Sequence, residues 1–192
     1  MLILSRSKRT VATHAIIDDL SCTPPLAWSG GRWHLVTDQV MGGVSRGRMD
    51  REVVAGRAAI RMRGEVSLAN NGGFVQIALD LSPGGAVVDA SAFSGIELDV
   101  FGNGETYGMH LRTDALIRPW QSYRQAFDAG PAWRAVQLRF DGLVRHRTNV
   151  SFDPRRLRRI GLVAIGRAFS ADLSLGGLRF MPVPHPLREH AA

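Results

Sequence analysis

Residues 36–45 read VTDQVMGGVS, directly after Trp33-His34-Leu35. Gly42 and Gly43 carry no side chains, so the backbone there can take positive φ or approach another surface closely. Met41 in front of them is an odd residue for a solvent-exposed turn. A second stretch, Ser67-Leu68-Ala69-Asn70-Asn71-Gly72-Gly73-Phe74, has the same character. Neither is a nucleotide loop: no Gly-Lys-Ser/Thr follows, the glycine spacing is wrong for a dinucleotide fingerprint, and no βαβ pattern surrounds it. Gly43-Val44-Ser45-Arg46-Gly47 does match the G-x-S-x-G string of a hydrolase elbow, with Ser45 as nucleophile. That elbow needs an amphipathic helix behind it. Arg48-Met49-Asp50-Arg51-Glu52-Val53 offers no helical face, so a serine hydrolase using Ser45 is a minor alternative.

Outward from these stretches the period is two. Val75, Ile77 and Leu79 alternate with Gln76 and Ala78; Ile96, Leu98 and Val100 alternate with Glu97 and Asp99. Tyr107, Met109 and Leu111 alternate with His110 and Arg112, and Val136, Leu138 and Phe140 with Gln137 and Arg139. Each is the pattern of a strand with one face on a core and one on water. Further strands are expected near 33–37, 57–63, 121–127, 160–165 and 172–180. Turn residues punctuate them at Asn70–Gly73, Ser82–Gly85, Gly102–Gly104 and Asp128–Pro131. Two helical turns are expected, one from Asp89 and one with Asp153 as N-cap and Pro154 at the first position. The fold class is all-β: a jelly-roll β-sandwich of two antiparallel sheets over 26–181. Residues 1–25 read as a poorly periodic lead-in and 182–192 as a loose tail.

The 192 residues suffice for one domain with a core that needs no staples. A single cysteine, Cys22, forbids an intramolecular disulfide and fits a reducing compartment. No apolar run approaches the roughly 18 residues of a membrane span. The basic N-terminus has its charges after its apolar part, the wrong order for a secretory signal, and is short for a transit peptide. A cytoplasmic location is therefore expected ahead of a mitochondrial matrix one. The net charge of +7 is almost all arginine. Between Arg139 and Arg167 eight arginines face only Asp141 and Asp153, which predicts a basic surface at Arg155, Arg156, Arg158 and Arg159. Without interleaved aromatics it does not suit nucleic acid; it fits a protein surface or peripheral contact with a membrane.

Catalytic chemistry is hard to place. The histidines at 14, 34, 110, 146, 185 and 190 show no i, i+4 pair and no HExxH, and Cys22 has no partner. No cofactor and no catalytic metal are expected; Asp18-Asp19 reads as a solvated loop, and a structural calcium on loop carbonyls stays open. Trp28, Trp33, Trp120 and Trp133 read first as core and loop-base residues. Trp120, after Arg118-Pro119 in a loop, is the exception and the basis for a carbohydrate as alternative partner.

The two glycine stretches resemble the complex I intermediate-associated protein 30 family, whose pattern runs W…(N/T)DxVMGGVS and then SLxNNGGF. The likeness continues through Gly102-Asn103-Gly104…Tyr107…Arg112, Ser122-Tyr123…Phe127, Trp133 to Phe140, and Ile160-Gly161-Leu162. The resemblance implies a galactose-binding-like sandwich. For mitochondrial members it implies a non-enzymatic, chaperone-like role in assembling NADH:ubiquinone oxidoreductase, with protein subunits of that complex as partners. It nominates Asp38, Met41, Gly42, Gly43, Ser45, Asn70, Asn71, Gly72, Gly73, Tyr107, Arg112 and Tyr123 as motif residues, some as binding groups and some as fold determinants. The chain departs from the family where Asn103 stands for a frequent aspartate and Arg139 for a frequent proline.

Overall fold

The structure, a computed structural model, describes residues 10–11 and 15–183. Alternating apolar residues become strands that bury one face each. In chain order these are β1 (Thr10–Val11), β2 (Ile16–Asp18), β3 (Trp33–Thr37), β4 (Arg46–Val54), β5 (Arg57–Val66), β6 (Phe74–Asp80) and β7 (Val88–Asp89). They continue as β8 (Phe93–Gly102), β9 (Glu105–Thr113), β10 (Ser122–Ala129), β11 (Arg134–Arg139), β12 (Val144–His146), β13 (Leu157–Ile165) and β14 (Phe169–Pro182).

Two sheets form. The larger runs β3-β6-β13-β9-β10-β12, with β7 and β1 extending it beside the start of β13. The smaller runs β11-β8-β14-β5-β4, with β2 against the end of β14. Among the described residues all strand pairings are antiparallel except the short β1–β7 pair. The inner faces supply one core: Ile77, Leu79, Met109, Leu111, Ile160 and Leu162 from the larger sheet meet Met62, Ile96, Leu98, Leu173 and Leu175 from the smaller. Burying each such side chain contributes about 1.5–3 kcal/mol. Register follows, because a one-residue slip would turn every one of these residues to water.

The described part of the lead-in, read as poorly periodic, joins the sandwich. Ile16–Asp18 pairs with β14, and Ile17 and Asp18 are buried. Asp18 is not solvated: its carboxylate accepts from the Leu20 amide at 2.9 Å and from the Trp33 indole at 2.7 Å. Trp33 and Trp133 are structural as expected, the latter donating to the Val54 carbonyl at 3.0 Å. The turn expected from Asp89 is not helical: Asp89 ends a strand, and its carboxylate takes the Ser91 amide. The second expected turn forms at Pro154–Arg156, with Asp153 accepting from the Arg155 amide. His14, His185 and His190, and all but Pro182 and Val183 of the expected tail, lie outside the described residues.

Candidate functional site

Asp38 organises both glycine stretches. Its side chain is fully buried and accepts from the Ser45 amide at 2.9 Å and the Ser45 hydroxyl at 2.5 Å. From the second stretch it accepts the Gly73 amide at 2.5 Å and the Phe74 amide at 3.3 Å. Ser45 Oγ in turn accepts from the Ser67 amide at 3.0 Å, so one carboxylate and one hydroxyl stitch the two loops together. Burial pushes the Asp38 carboxyl up, but the bonds from Ser45, Gly73 and Phe74 outweigh it, and its pKa lies below the ordinary 3.8.

The paired glycines divide the work in the same way twice. A Cβ on Gly43 would lie 2.3 Å from Asp38 Cγ, and one on Gly72 would lie 2.4 Å from Asp38 Oδ2. Those two positions are empty because the carboxylate fills the space. Gly42 and Gly73 take φ of +87° and +131°, the region that favours glycine. Asn70 and Asn71 also stand at positive φ, 58° and 56°, which asparagine tolerates. The Asn71-Gly72 pair closes a 3-10 turn over Ala69–Asn71 rather than a two-residue hairpin.

Ser45 is therefore committed. It is buried, its partners are Asp38 and Ser67, and a strand rather than a helix follows it. A hydrolase nucleophile needs an exposed hydroxyl on a base, and Ser45 offers none.

The stitched loops present Val40 and Met41, 73% and 62% exposed, together with Leu68. These form one wall of a cleft of about 840 Å³ across the outer face of the larger sheet. The other wall is the loop between β9 and β10, with Leu116, Pro119 and Trp120. Arg112 pins that loop from the sheet, donating to the carbonyls of Leu116 and Gln121 at 3.2 Å each and to that of Pro119. Trp120 is 47% exposed, with the Arg118 guanidinium 5.9 Å from its ring centroid. The floor comes from outward positions of adjacent strands: Gln76 on β6, Val163 on β13, His110 on β9, Arg124 on β10 and His146 on β12. Burial, then the neighbouring Arg124 and His146, push His110 down to about 3, so it is neutral near pH 7.

The other nominated residues lie elsewhere. Tyr107 and Tyr123 are core residues. The Tyr107 hydroxyl donates to Asn103 Oδ1 at 2.7 Å and accepts the Asp172 amide at 2.9 Å, while Asn103 donates to the Ser170 carbonyl at 2.8 Å. An aspartate at 103 could not make that last bond. Tyr107→Phe strands the Asp172 amide, whereas the exposed Asn103 can turn to water, and should cost about 1 kcal/mol; a Tm drop of roughly 2–4 °C by calorimetry is expected. An unchanged Tm would show the bridge to be idle. The Tyr123 hydroxyl donates to the Ser151 carbonyl.

The expected basic surface is largely neutralised. Arg155 pairs with Asp153, Arg156 with Asp114 and Arg159 with Asp80, at 3.0, 2.6 and 2.7 Å. Arg158 donates to the Gly85 carbonyl. Arg158 and Arg159 line the cleft, so the four do not form one unpaired basic face. Sequence reading missed His110, Arg124, His146 and Gln76. The outward alternation of Gln76 and His110 was visible; β12, which carries His146, was not expected, and that pairing brings the four side by side was not visible.

The fold is similar to the family 11 carbohydrate-binding module of the cellulosomal cellulase Lic26A-Cel5E of Clostridium thermocellum. The TM-score is 0.71 at 10% identity, covering 91% of this chain and 98% of that one. A family 11 module from the same organism in complex with a β-1,3-1,4-mixed-linked tetrasaccharide aligns at a TM-score of 0.68 and 10% identity, over 88% and 95% of the two chains. A family 30 carbohydrate-binding module aligns at 0.63 and 15%, over 92% of each. At such identities the likeness is one of fold, a galactose-binding-like jelly roll. No curated protein sequence matches the chain. Among the described residues no helix is long and apolar enough to cross a membrane. The family model for Complex I intermediate-associated protein 30 (CIA30) matches residues 28–175, which include the stitched loops, both cleft walls and most of the floor. The chain belongs to the Complex I intermediate-associated protein 30 family.

Proposed function

We propose that this protein is a non-catalytic binding protein in the assembly of respiratory complex I, and that it engages protein subunits through the cleft. The observation that carries this reading is the use made of the glycine stretches. A buried carboxylate, four donated hydrogen bonds and two glycines without room for a Cβ hold Val40 and Met41 out in water. Large apolar side chains fixed in that way beside Leu68, with Trp120 on the other wall, line a cleft suited to being covered by a partner. Family membership supports complex I as the setting.

In the organism that carries this chain, its deletion is expected to lower assembled complex I on native gels. A Met41→Ser, Trp120→Ala double variant should keep its Tm within about 2 °C, as exposed substitutions do, yet fail to restore the complex. Unchanged complex I in the deletion strain would remove the assembly role. Full restoration by the double variant would remove the cleft.

A second reading is a carbohydrate-binding module, favoured by Trp120 at the cleft and by the fold of the similar structures. Calorimetric binding of a mixed-linked glucan that is lost in Trp120→Ala would support it in place of the first.

A further inference from the structure

The two outer faces of the sandwich carry charge differently. On the smaller sheet arginines meet acids: Arg61 pairs with Glu52 and Asp172, Arg63 with Asp50 and Glu52, and Arg179 with Glu97. The cleft on the larger sheet has arginines without acids. Arg112, Arg124, Arg147 and Arg158 line it, and none has a carboxylate partner among the described residues. The one carboxylate lining it among the described residues, Asp80, is taken by Arg159.

Three of these cations keep donors to offer, among them Arg158, which gives only Nε, to the Gly85 carbonyl at 2.8 Å. Arg112 spends its terminal nitrogens on the β9–β10 loop. Arg124 gives only Nε, to Ser122 Oγ at 2.8 Å. The Arg147 side chain has no hydrogen-bond partner among the described residues. Guanidinium groups donate and never accept, so the cleft holds donors in excess of acceptors. Sugar hydroxyls need both. A carboxylate needs donors only, and binds guanidinium in a charge-assisted, often two-pronged contact.

The shape narrows the choice. From β3 to β12 the cleft spans six strands, about 24 Å at about 4.8 Å per strand, which accommodates about seven residues of extended chain. Its walls are apolar at Val40, Met41, Leu68 and Trp120. A bare polyanion would leave those walls uncovered.

We infer that the cleft receives an extended acidic segment of a partner protein, its carboxylates on Arg124 and Arg147 and its apolar side chains on Met41 and Trp120. This rests on the cleft being the binding surface proposed above and adds the chemistry of its occupant.

The test is an amide-shift titration of the ¹⁵N-labelled full chain with a capped seven-residue peptide of alternating Glu and Leu. Controls are the Gln-Leu analogue and a neutral β-1,3-1,4-linked tetrasaccharide. Saturable shifts confined to the cleft, at Phe74, His110, Arg124 and Gly161, are expected. The affinity should weaken at least about ten-fold when Arg124 and Arg147 are both changed to Gln, survive their change to Lys within a few-fold, and fall with added salt. Equal binding of the Gln-Leu peptide, or unchanged affinity in the Gln variant, overturns the inference. Cleft shifts with the tetrasaccharide but not the acidic peptide overturn it while leaving the cleft as a binding site. No cleft shifts with any probe overturn both.

Discussion

Asp38→Ala is expected to cost on the order of 4 kcal/mol or more, enough to unfold much of a chain whose total stability is about 5–15 kcal/mol. Four donors converge on this carboxylate: the Ser45 amide and hydroxyl and the amides of Gly73 and Phe74. Each buried donor left unpaired costs about 1–3 kcal/mol. The alanine would also open space between Gly43 and Gly72, which the side chain now fills. Urea denaturation read by tryptophan fluorescence measures the loss. A cost under about 1 kcal/mol would mean that other contacts hold the loops. The same group sets an acid limit. Its folded pKa lies below the ordinary 3.8, so the unfolded chain binds the proton first. Its contribution is complete above about pH 4 and is lost as pH falls through the folded value. Asp38→Asn should therefore flatten stability against pH below about 4.

Gly72→Ala is expected to cost roughly 3 kcal/mol, the upper end for forcing atoms into a filled site. The residue has φ −80°, so the backbone accepts alanine and the whole cost is steric. The added carbon would meet Asp38 Oδ2 at 2.4 Å and Gly43 Cα at 3.0 Å. Asp38 cannot retreat without releasing its four donors. Gly42→Ala is the control: at φ +87° with open space around it, the cost is conformational, about 1–2 kcal/mol. The two losses should also differ in additivity. Combined with Asp38→Ala, Gly72→Ala should lose most of its effect, because the clashing group is gone, whereas Gly42→Ala should keep its own. A double-mutant cycle from urea midpoints decides this. Additive losses for Gly72 and Asp38 would place the clash elsewhere.

Strands with one apolar face were legible: β6, β8 and β9 stand where alternation placed them, within a few residues, and β3 where a further strand was expected. β4 was not, because RGRMDREVV is an edge strand with charged residues along it, and edges are protected by charge rather than by apolar period. Its Asp50 and Glu52 pair with Arg63 and Arg61 on β5. β2 and β7 span only three and two residues, too short for any period to register. The motif residues were visible as a group. Asp38 could be read as a loop cap, but that it caps a loop 35 residues further on depends on β3 lying against β6. The basic cluster misled for the same reason. Charge counted along the chain ignores Asp80 and Asp114, which tertiary contact sets against Arg159 and Arg156. Conversely Arg124, unremarkable in SYRQAF, lies beside His110 only through the β9–β10 register.

The most direct measurement is in-cell photo-crosslinking from two positions on opposite faces. A photoreactive residue at Met41 reads the cleft wall, and one at Arg57 on β5 reads the smaller sheet; both side chains reach solvent. Crosslinks to complex I subunits from Met41, with few or none from Arg57, are the expected result. Subunit crosslinks from Arg57 and none from Met41 would contradict the cleft as the surface that this protein uses.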